Sequence, residues 1–303
     1  MYTKEIPISI MLPMYNASKT IKECIDSILN QTFKEFELLI ADDGSTDDSF
    51  DIVSSYCDDR IQLFKRKHDF IKTLNFLLKR ANGKYLVRMD ADDVMMSDRL
   101  RIQYDYMEKN PHIAASGGAI ELYDNGEIIH NVPKITPLTF LEGCGIFNPT
   151  AIIRKDVVLR HNLSYNAEFI YAEDFQFWVE MTMKSLNITN LKHVLIKYRR
   201  GKHNVSNVHR KEQEENTRKE QRCLLDWFKK ETDSVKNDYV VLPKTKNKLS
   251  ICISFLNEGV EVGNTVRSIR ATAGNCVDIV IVNDASDDGY DYESDLKDLG
   301  VNC

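Results

Sequence analysis

The sequence has no apolar stretch approaching the ~18 residues that read as a membrane-spanning helix. Its first residues, MYTKEIPISIMLPMYN, lack the basic, apolar and small-residue regions of a signal peptide. It has no C-x-x-C pair: the seven cysteines are odd in number and scattered, a reduced set and neither a disulfide framework nor a thiolate zinc site. It also has no excess of positive charge. Forty Lys and Arg stand against 46 Asp and Glu, a formal net charge of −6, which argues against a chain that lives on nucleic-acid backbones, where a basic surface is the usual footprint. These absences set the expectation of a cytoplasmic protein with no nucleic-acid partner and no transmembrane segment. Peripheral association with the inner face of the membrane, through a partner or a lipid-linked substrate, stays open.

What is present begins with length. At 303 residues, with 43% hydrophobic and 28% charged, the chain has enough apolar matter for a packed core and room for one large domain or two ordinary ones. Self-comparison decides between these. SIMLPMYN (9–16) aligns with SICISFLN (250–257) at an offset of 241, and LLIADDGSTDD (38–48) aligns with IVIVNDASDDG (279–289) at the same offset. Nine identities hold that register without a gap: Ser9, Ile10, Asn16, Ser27, Ile28, Ile40, Asp43, Ser45 and Asp47. The chain starts one module twice, and the second copy has only about 56 residues before Cys303. Between the copies, 208–232 is rich in helix formers of mixed charge, read as a solvated helix docking Leu224, Leu225, Trp227 and Phe228 on the first module. Residues 233–247 read as linker.

In the first module, Ile8–Leu12 reads as a buried strand ended by Pro13. A helix follows, with Ile21, Ile25, Ile28 and Leu29 at helical spacing. Glu37–Ala41, Ile61–Phe64 and Tyr85–Met89 are further strands, with a helix around Phe70–Arg80. Strands alternating with helices imply a parallel sheet whose sites lie at the carboxyl ends of its strands. Beyond these come strands around 112–123, a DNG turn at 124–126 that implies a hairpin, a helix at 174–184 and a late strand at 193–198.

Both acidic clusters fall where a parallel sheet places its ligands. DADD (90–93) follows the strand at 85–89, and alternation points Asp90 and Asp92 the same way, toward one hard cation. Acidic turns are common and mostly solvated, so spacing alone leaves metal binding as the minority reading. Asp42 and Asp43 are equally compatible with Asx turns or with a carboxylate that accepts a hydrogen bond from a base or ribose. Glu173-Asp174 either complements a helix N-terminus or offers a general base, and physics alone favours the former. His203, in YRRGKHNVS, is read first as a surface histidine.

In order and spacing, these segments resemble the family-2 glycosyltransferases of GT-A fold. The agreement runs through PMYN, SILNQTFKEFELLIADDGSTD, KYLVRMDADD with SDRLRIQ, FNPTAIIRKD, AEDFQFW and YRRGKHNVS, over about residues 5–207, and restarts at 248. The resemblance implies a Rossmann-like three-layer α/β sandwich with a mixed, mainly parallel sheet. The implied division is a catalytic domain at 1–207, a helical segment and linker at 208–247, and an incomplete second copy at 248–303. By matched position, Pro13 and Tyr15 belong to the nucleotide site, Tyr15 packing on uracil, and Asp43 reads the uracil ring. Asp90 contacts the ribose or supports the metal, Asp92 binds Mn²⁺ or Mg²⁺, and Asp174 is the catalytic base. The implied reaction is inverting transfer from a UDP-sugar to a glycan or lipid-linked glycan acceptor in polysaccharide biosynthesis.

One departure stands out. Family members often carry Y-R-x-H, but here Tyr198-Arg199-Arg200 is followed by Gly201, and the histidine comes at 203. Either His203 reaches the metal or Arg199, Arg200 and Lys202 hold the diphosphate. In the second copy the Pro and Tyr are missing, and only Asp284 keeps the uracil-reading position. Three alternatives remain: a nucleotide-sugar-binding module without transfer, part of a bifunctional glycan polymerase, and a nucleotidyltransferase. PMYNASKT stands where the last would need a Gly- and Arg-rich phosphate loop.

Overall fold

ISIMLPM is apolar at nearly every position and forms strand β1 (Ile8–Met14), buried along its whole length. The computed structural model describes residues 6–132, 134–201, 208–235, 250–255, 265–266 and 278–283. Helix α1 (Ile21–Leu29), β2 (Phe36–Asp42), α2 (Ser49–Ser54), β3 (Ile61–Lys65), α3 (Phe70–Arg80) and β4 (Tyr85–Arg88) continue the alternation. Strand β1 pairs in parallel with β2 on one side and β4 on the other, and β2 pairs in parallel with β3. Ile8, Ile10, Leu12 and Met14 share one core with Ile21, Ile25 and Ile28 of α1. The alternate positions Met11 and Leu39 are also buried, and α3 packs on β1 and β2. A strand apolar on both faces needs helices on both, hence three layers.

Strand β1 passes through Pro13, where the sequence implied an end; Pro13 registers with Ala41 of β2. Proline is tolerated because pairing to β4 stops at Met11↔Arg88, so no partner there asks for its missing N–H.

The second half supplies β5 (Val94–Met95), α4 (Arg99–Lys109), β6 (Ile113–Leu122), β7 (Ile128–Ile129), β8 (Lys134–Ile135), α5 (Thr139–Glu142), β9 (Ile152–Arg154), α6 (Lys155–Arg160), α7 (Glu173–Met183) and β10 (Asn187–Tyr198). The sheet order is β3-β2-β1-β4-β9-β6-β10-β5. Strand β9 runs antiparallel between β4 and β6, while β6 and β10 are parallel. The DNG turn closes the β6–β7 hairpin, with Gly126 at φ +72°, a conformation glycine adopts without strain. The late strand starts at Asn187, six residues before the sequence pattern placed it.

The chain divides into two compact units, Met1–Trp227 and Phe228–Cys303. Helix α8 (Arg210–Val235) begins in the first. There it is tied down by side-chain amides: Gln213 donates to the Tyr171 carbonyl, Asn216 to that of Ile170, and Gln221 to those of Phe140 and Leu141. Leu224 is fully buried, and Leu225, Trp227 and Phe228 are half-buried. No helix among the described residues is long and apolar enough to cross a membrane.

Glu220 of α8 is 5% exposed, and burial, then the charge of Glu180, pushes it up to about 7 from 4.5. Its contribution to stability is complete below pH 4.5 and is lost as pH rises through 7. Glu220→Gln should therefore raise Tm at pH 8 by about 2–4 °C, the effect of ~1 kcal/mol in a domain of this size, and leave it unchanged at pH 4. Thermal melts at the two pH values check this; equal gains at both would remove charge as the cause.

In the second unit, β11 (Ser250–Phe255) and β12 (Asp278–Asn283) pair in parallel, with Ser250↔Asp278 through Phe255↔Asn283. At the offset of 241 this is the register of Ser9↔Glu37 through Met14↔Asp42. Residues 265–266 are helical, at the places of Cys24 and Ile25 in α1. Asp284 lies outside the described residues.

Candidate active site

The loops leaving β1 and β2 are stitched to each other. Asn16, at φ +48°, accepts from the Thr46 N–H and donates its own N–H to Ser45. Asp42 accepts from the Ser45 N–H. Asp47 accepts from the N–H groups of Ser18 and Ser49; against the cost of burial, these bonds hold it down at about 2. Asp42 and Asp47 thus serve the turn, although the buried Oδ2 of Asp42 also has no donor. Asp43 reaches beyond the turn, to α3. It is 1% exposed; its Oδ1 accepts from Asp69 N–H at 2.9 Å and Thr73 Oγ1 at 2.6 Å, while its buried Oδ2 has no hydrogen-bond donor. His68 Nδ1 lies 3.0 Å from that oxygen but directs its N–H to the Asp43 carbonyl at 2.9 Å. Tyr15, half exposed, stacks on the His68 ring at 4.4 Å between centroids. A buried acceptor without a donor is costly and suits an N–H brought by a ligand.

The end of β4 carries the second cluster. Asp90 is paired with Arg88 at 2.8 Å, and Arg88 is itself 4% exposed. Burial, then the charge of Asp90, pushes Asp92 up to about 6. Burial, then Asp90 and Asp92, pushes Asp93 up to about 9. Asp93 accepts the Arg199 N–H at 2.9 Å, and its Oδ2 has no donor. Fully buried Arg99 donates to the Arg88 carbonyl and to Gln103; burial lowers it to about 9, so it stays cationic at neutral pH. Asp90 and Asp92 offer carboxylate oxygens of the kind a hard divalent cation takes. Among the described residues, no group of three or more His, Cys, Asp or Glu could hold a metal unaided. Mg²⁺ or Mn²⁺ takes one or two carboxylates and completes its shell with phosphate oxygens and water, so Asp92 with Asp90 are the residues that would hold one. His203 lies outside the described residues. The Arg199 guanidinium pairs with Glu23 and stacks 3.5 Å over Tyr123, tying the D-x-D loop to α1.

Glu173 and Asp174 open α7. The preceding Tyr171 is at φ +67°, a left-handed conformation costly for a bulky residue and frequent at functional sites. It is held by its stack on His209 at 3.8 Å and by Gln213 on its carbonyl. Burial, then Asp174, pushes Glu173 up to about 8. Asp174 is raised by burial and by the nearby charge of Asp90, against the pull of the Phe175 N–H at 2.7 Å and of Arg88. Asp174 is the more exposed of the two and lines a cleft, while Glu173 is 7% exposed. Sequence reasoning missed Arg88 and Arg99, the buried cations that hold these carboxylates. Their only signal was an arginine on each side of DADD.

Comparison with known proteins is decisive at this point. The model of glycosyl transferase family 2 matches residues 9–165. The chain belongs to that family. A glycosyltransferase of Haemophilus influenzae is 34% identical over 73% of this chain and 74% of its own length. The Escherichia coli UDP-Glc:alpha-D-GlcNAc-diphosphoundecaprenol beta-1,3-glucosyltransferase WfgD is 32% identical over 66% of this chain and 79% of its own. Among solved structures, TarS of S. aureus in complex with UDP aligns with a TM-score of 0.54 at 23% identity, over 65% of this chain and 61% of that one. The mannosyltransferase PcManGT of Pyrobaculum calidifontis, in complex with GDP-Man and Mn²⁺, also gives 0.54, at 18% identity over 67% and 59%. The family-2 chain described here therefore has the GT-A fold and is a glycosyltransferase, with relatives in polysaccharide and glycolipid biosynthesis.

Proposed function

We propose that the enzyme moves a sugar from a UDP-sugar to a hydroxyl of a glycan or lipid-linked glycan, with inversion, by direct displacement. One observation carries this reading: Asp174, at the start of α7, lines an open cleft and is near enough to the acidic cluster for the charge of Asp90 to raise it. In this reading the uracil lies against Tyr15, with its N–H on the donorless Oδ2 of Asp43, and Pro13 shapes the start of that loop. Asp90 contacts the ribose. Asp92, with Asp90 beside it, would hold Mn²⁺ or Mg²⁺, whose charge would stabilise a diphosphate leaving group. Asp174 takes the proton of the acceptor hydroxyl as it attacks the anomeric carbon from the opposite face. A single base suffices for this, since no covalent intermediate forms.

The relatives lend support: WfgD is named for a UDP-Glc donor, and TarS has been solved with UDP. In the same reading, residues 1–207 are the catalytic domain, 208–247 the helical segment and linker, and 248–303 the opening of a second such module; the repeated strand register supports this division. The test is a screen of UDP-sugars with Mn²⁺ and glycan acceptors, read as UDP release and acceptor mass gain. Transfer from one UDP-sugar that chelation abolishes is expected. UDP binding with neither transfer nor donor hydrolysis for any sugar would overturn the reading.

A further inference from the structure

The entry to α7 is not fixed by its own residues. Its N-cap is Ala172, which makes no side-chain cap bond, where Ser, Asp or Asn would ordinarily set the entry angle. The residue before it, Tyr171, stands at φ +67°, a region that a bulky side chain keeps only when its surroundings hold it there. The Ala172 N–H closes the turn onto the Phe169 carbonyl at 2.8 Å. That leaves the carbonyls of Ile170 and Tyr171 to be met from elsewhere.

One face of α8 meets them. His209, Gln213 and Asn216 recur at i, i+4 and i+7, the spacing of a single helix face. The Gln213 N–H reaches the His209 carbonyl at 2.9 Å, so His209 belongs to the first turn. Its ring stacks on Tyr171 with 3.8 Å between centroids and 9° between planes. Gln213 Nε2 donates to the Tyr171 carbonyl at 2.8 Å, and Asn216 Nδ2 to that of Ile170 at 2.9 Å. Further along, Lys219 lies 4.4 Å over the Phe169 ring and 3.5 Å from Glu168. Each step up α8 meets a residue further back along 168–171, so the whole approach to α7 is gripped. Helix α8 is itself anchored by buried Leu224 and by Gln221 on the Phe140 and Leu141 carbonyls. Docking a helix needs no left-handed tyrosine, yet the strain sits immediately before Glu173 and Asp174.

We propose that α8 is a clamp on the base: His209, Gln213 and Asn216 are positioning residues that hold 170–171 in the conformation from which α7 presents Asp174 to the acceptor hydroxyl. The proposal rests on the reading of Asp174 as the base, and the three residues act through it. His209 and Asn216 are not among the residues lining the cleft beside Asp174, so substituting them separates positioning from contact.

The test uses the full chain with Mn²⁺, UDP-glucose or whichever other UDP-sugar turns over in the screen above, and the glycan that accepts the sugar. His209→Ala combined with Asn216→Ala should lower kcat about 10- to 100-fold, the loss expected of a reacting group moved by up to about 1 Å. Donor KM and Mn²⁺-dependent UDP affinity should stay within about two-fold, which also shows that the variant is folded. His209→Phe alone, which keeps a ring to stack, should stay within about three-fold of the unaltered enzyme. In the Asp174→Asn background the paired substitution should cost less than about two-fold, because no base is left to aim. Unchanged kcat, an equal loss in both backgrounds, a parallel loss of UDP affinity, or a His209→Phe as slow as the pair would overturn the clamp and leave Asp174 as the base. Normal turnover by Asp174→Asn, or a screen without turnover, would remove the base and the clamp together.

Discussion

Asp174→Asn should lower kcat by roughly 10²–10⁴, the range a positioned general base contributes, and leave Mn²⁺-dependent UDP binding nearly intact. The asymmetry follows from position. Asp174 lines the cleft and opens α7, whereas the unpartnered oxygen of Asp43 and the aspartates after β4 belong to other loops. Asparagine is close in size, and its Oδ1 can still accept the Phe175 N–H that holds the native carboxylate at 2.7 Å. What it cannot do is take a proton. Because burial and the charge of Asp90 raise Asp174, its acid limb in the pH–rate profile should lie above the ordinary aspartate range. Activity should rise with pH through that limb, since the base must be ionised. Single-turnover rates and UDP titration on the same preparation check both halves. Normal turnover by Asp174→Asn would exclude it as the base.

How much of this was legible before the structure depended on what each residue does physically. The placement of Asp43, Asp90 and Asp92 was legible because turn chemistry and strand ends put carboxylates at the carboxyl edge of a parallel sheet; the roles proposed for them come from the family resemblance alone. Helix α3 was legible to the residue, because Ile71, Leu74, Leu77 and Leu78 recur at helical spacing. Strand β9 escaped notice: three residues, Ile152–Arg154, carry no period, and only the gap between β4 and β6 makes them a strand. Arg88 and Arg99 escaped for the opposite reason. Charged residues read as surface by default, yet both are buried, because the carboxylates and backbone carbonyls that meet them come from distant segments. The same holds for Glu173: its neighbour in sequence was legible as an acid, but its burial is a tertiary fact. Arg199 could be read as a phosphate contact from its motif; its pairing with Glu23, 176 residues away, could not.

Asp92→Asn should abolish the metal dependence of UDP binding and reduce transfer by about 10²–10³, comparable to loss of one charge-stabilising group at a reacting centre. EDTA added to the unaltered enzyme should produce the same loss, and little further loss in the variant. Stability should move the other way. Without a cation, Asp92 crowds Asp90 and Asp93, and burial together with those charges raises both Asp92 and Asp93. At neutral pH Asp93, pushed up to about 9, is protonated, and removing the buried Asp92 charge relieves its desolvation and its repulsion with Asp90, so Tm of the metal-free variant should rise by about 2–4 °C, while added Mn²⁺, which raises Tm of the unaltered enzyme by binding the native state, should leave the variant where it is. The sign matters more than the size. A carboxylate kept for structure costs stability when it is removed; one kept for a ligand releases stability that the fold had given up to assemble the site. Melting curves of both proteins with Mn²⁺ and with EDTA decide which applies, and a fall in Tm of metal-free Asp92→Asn would assign Asp92 to the scaffold.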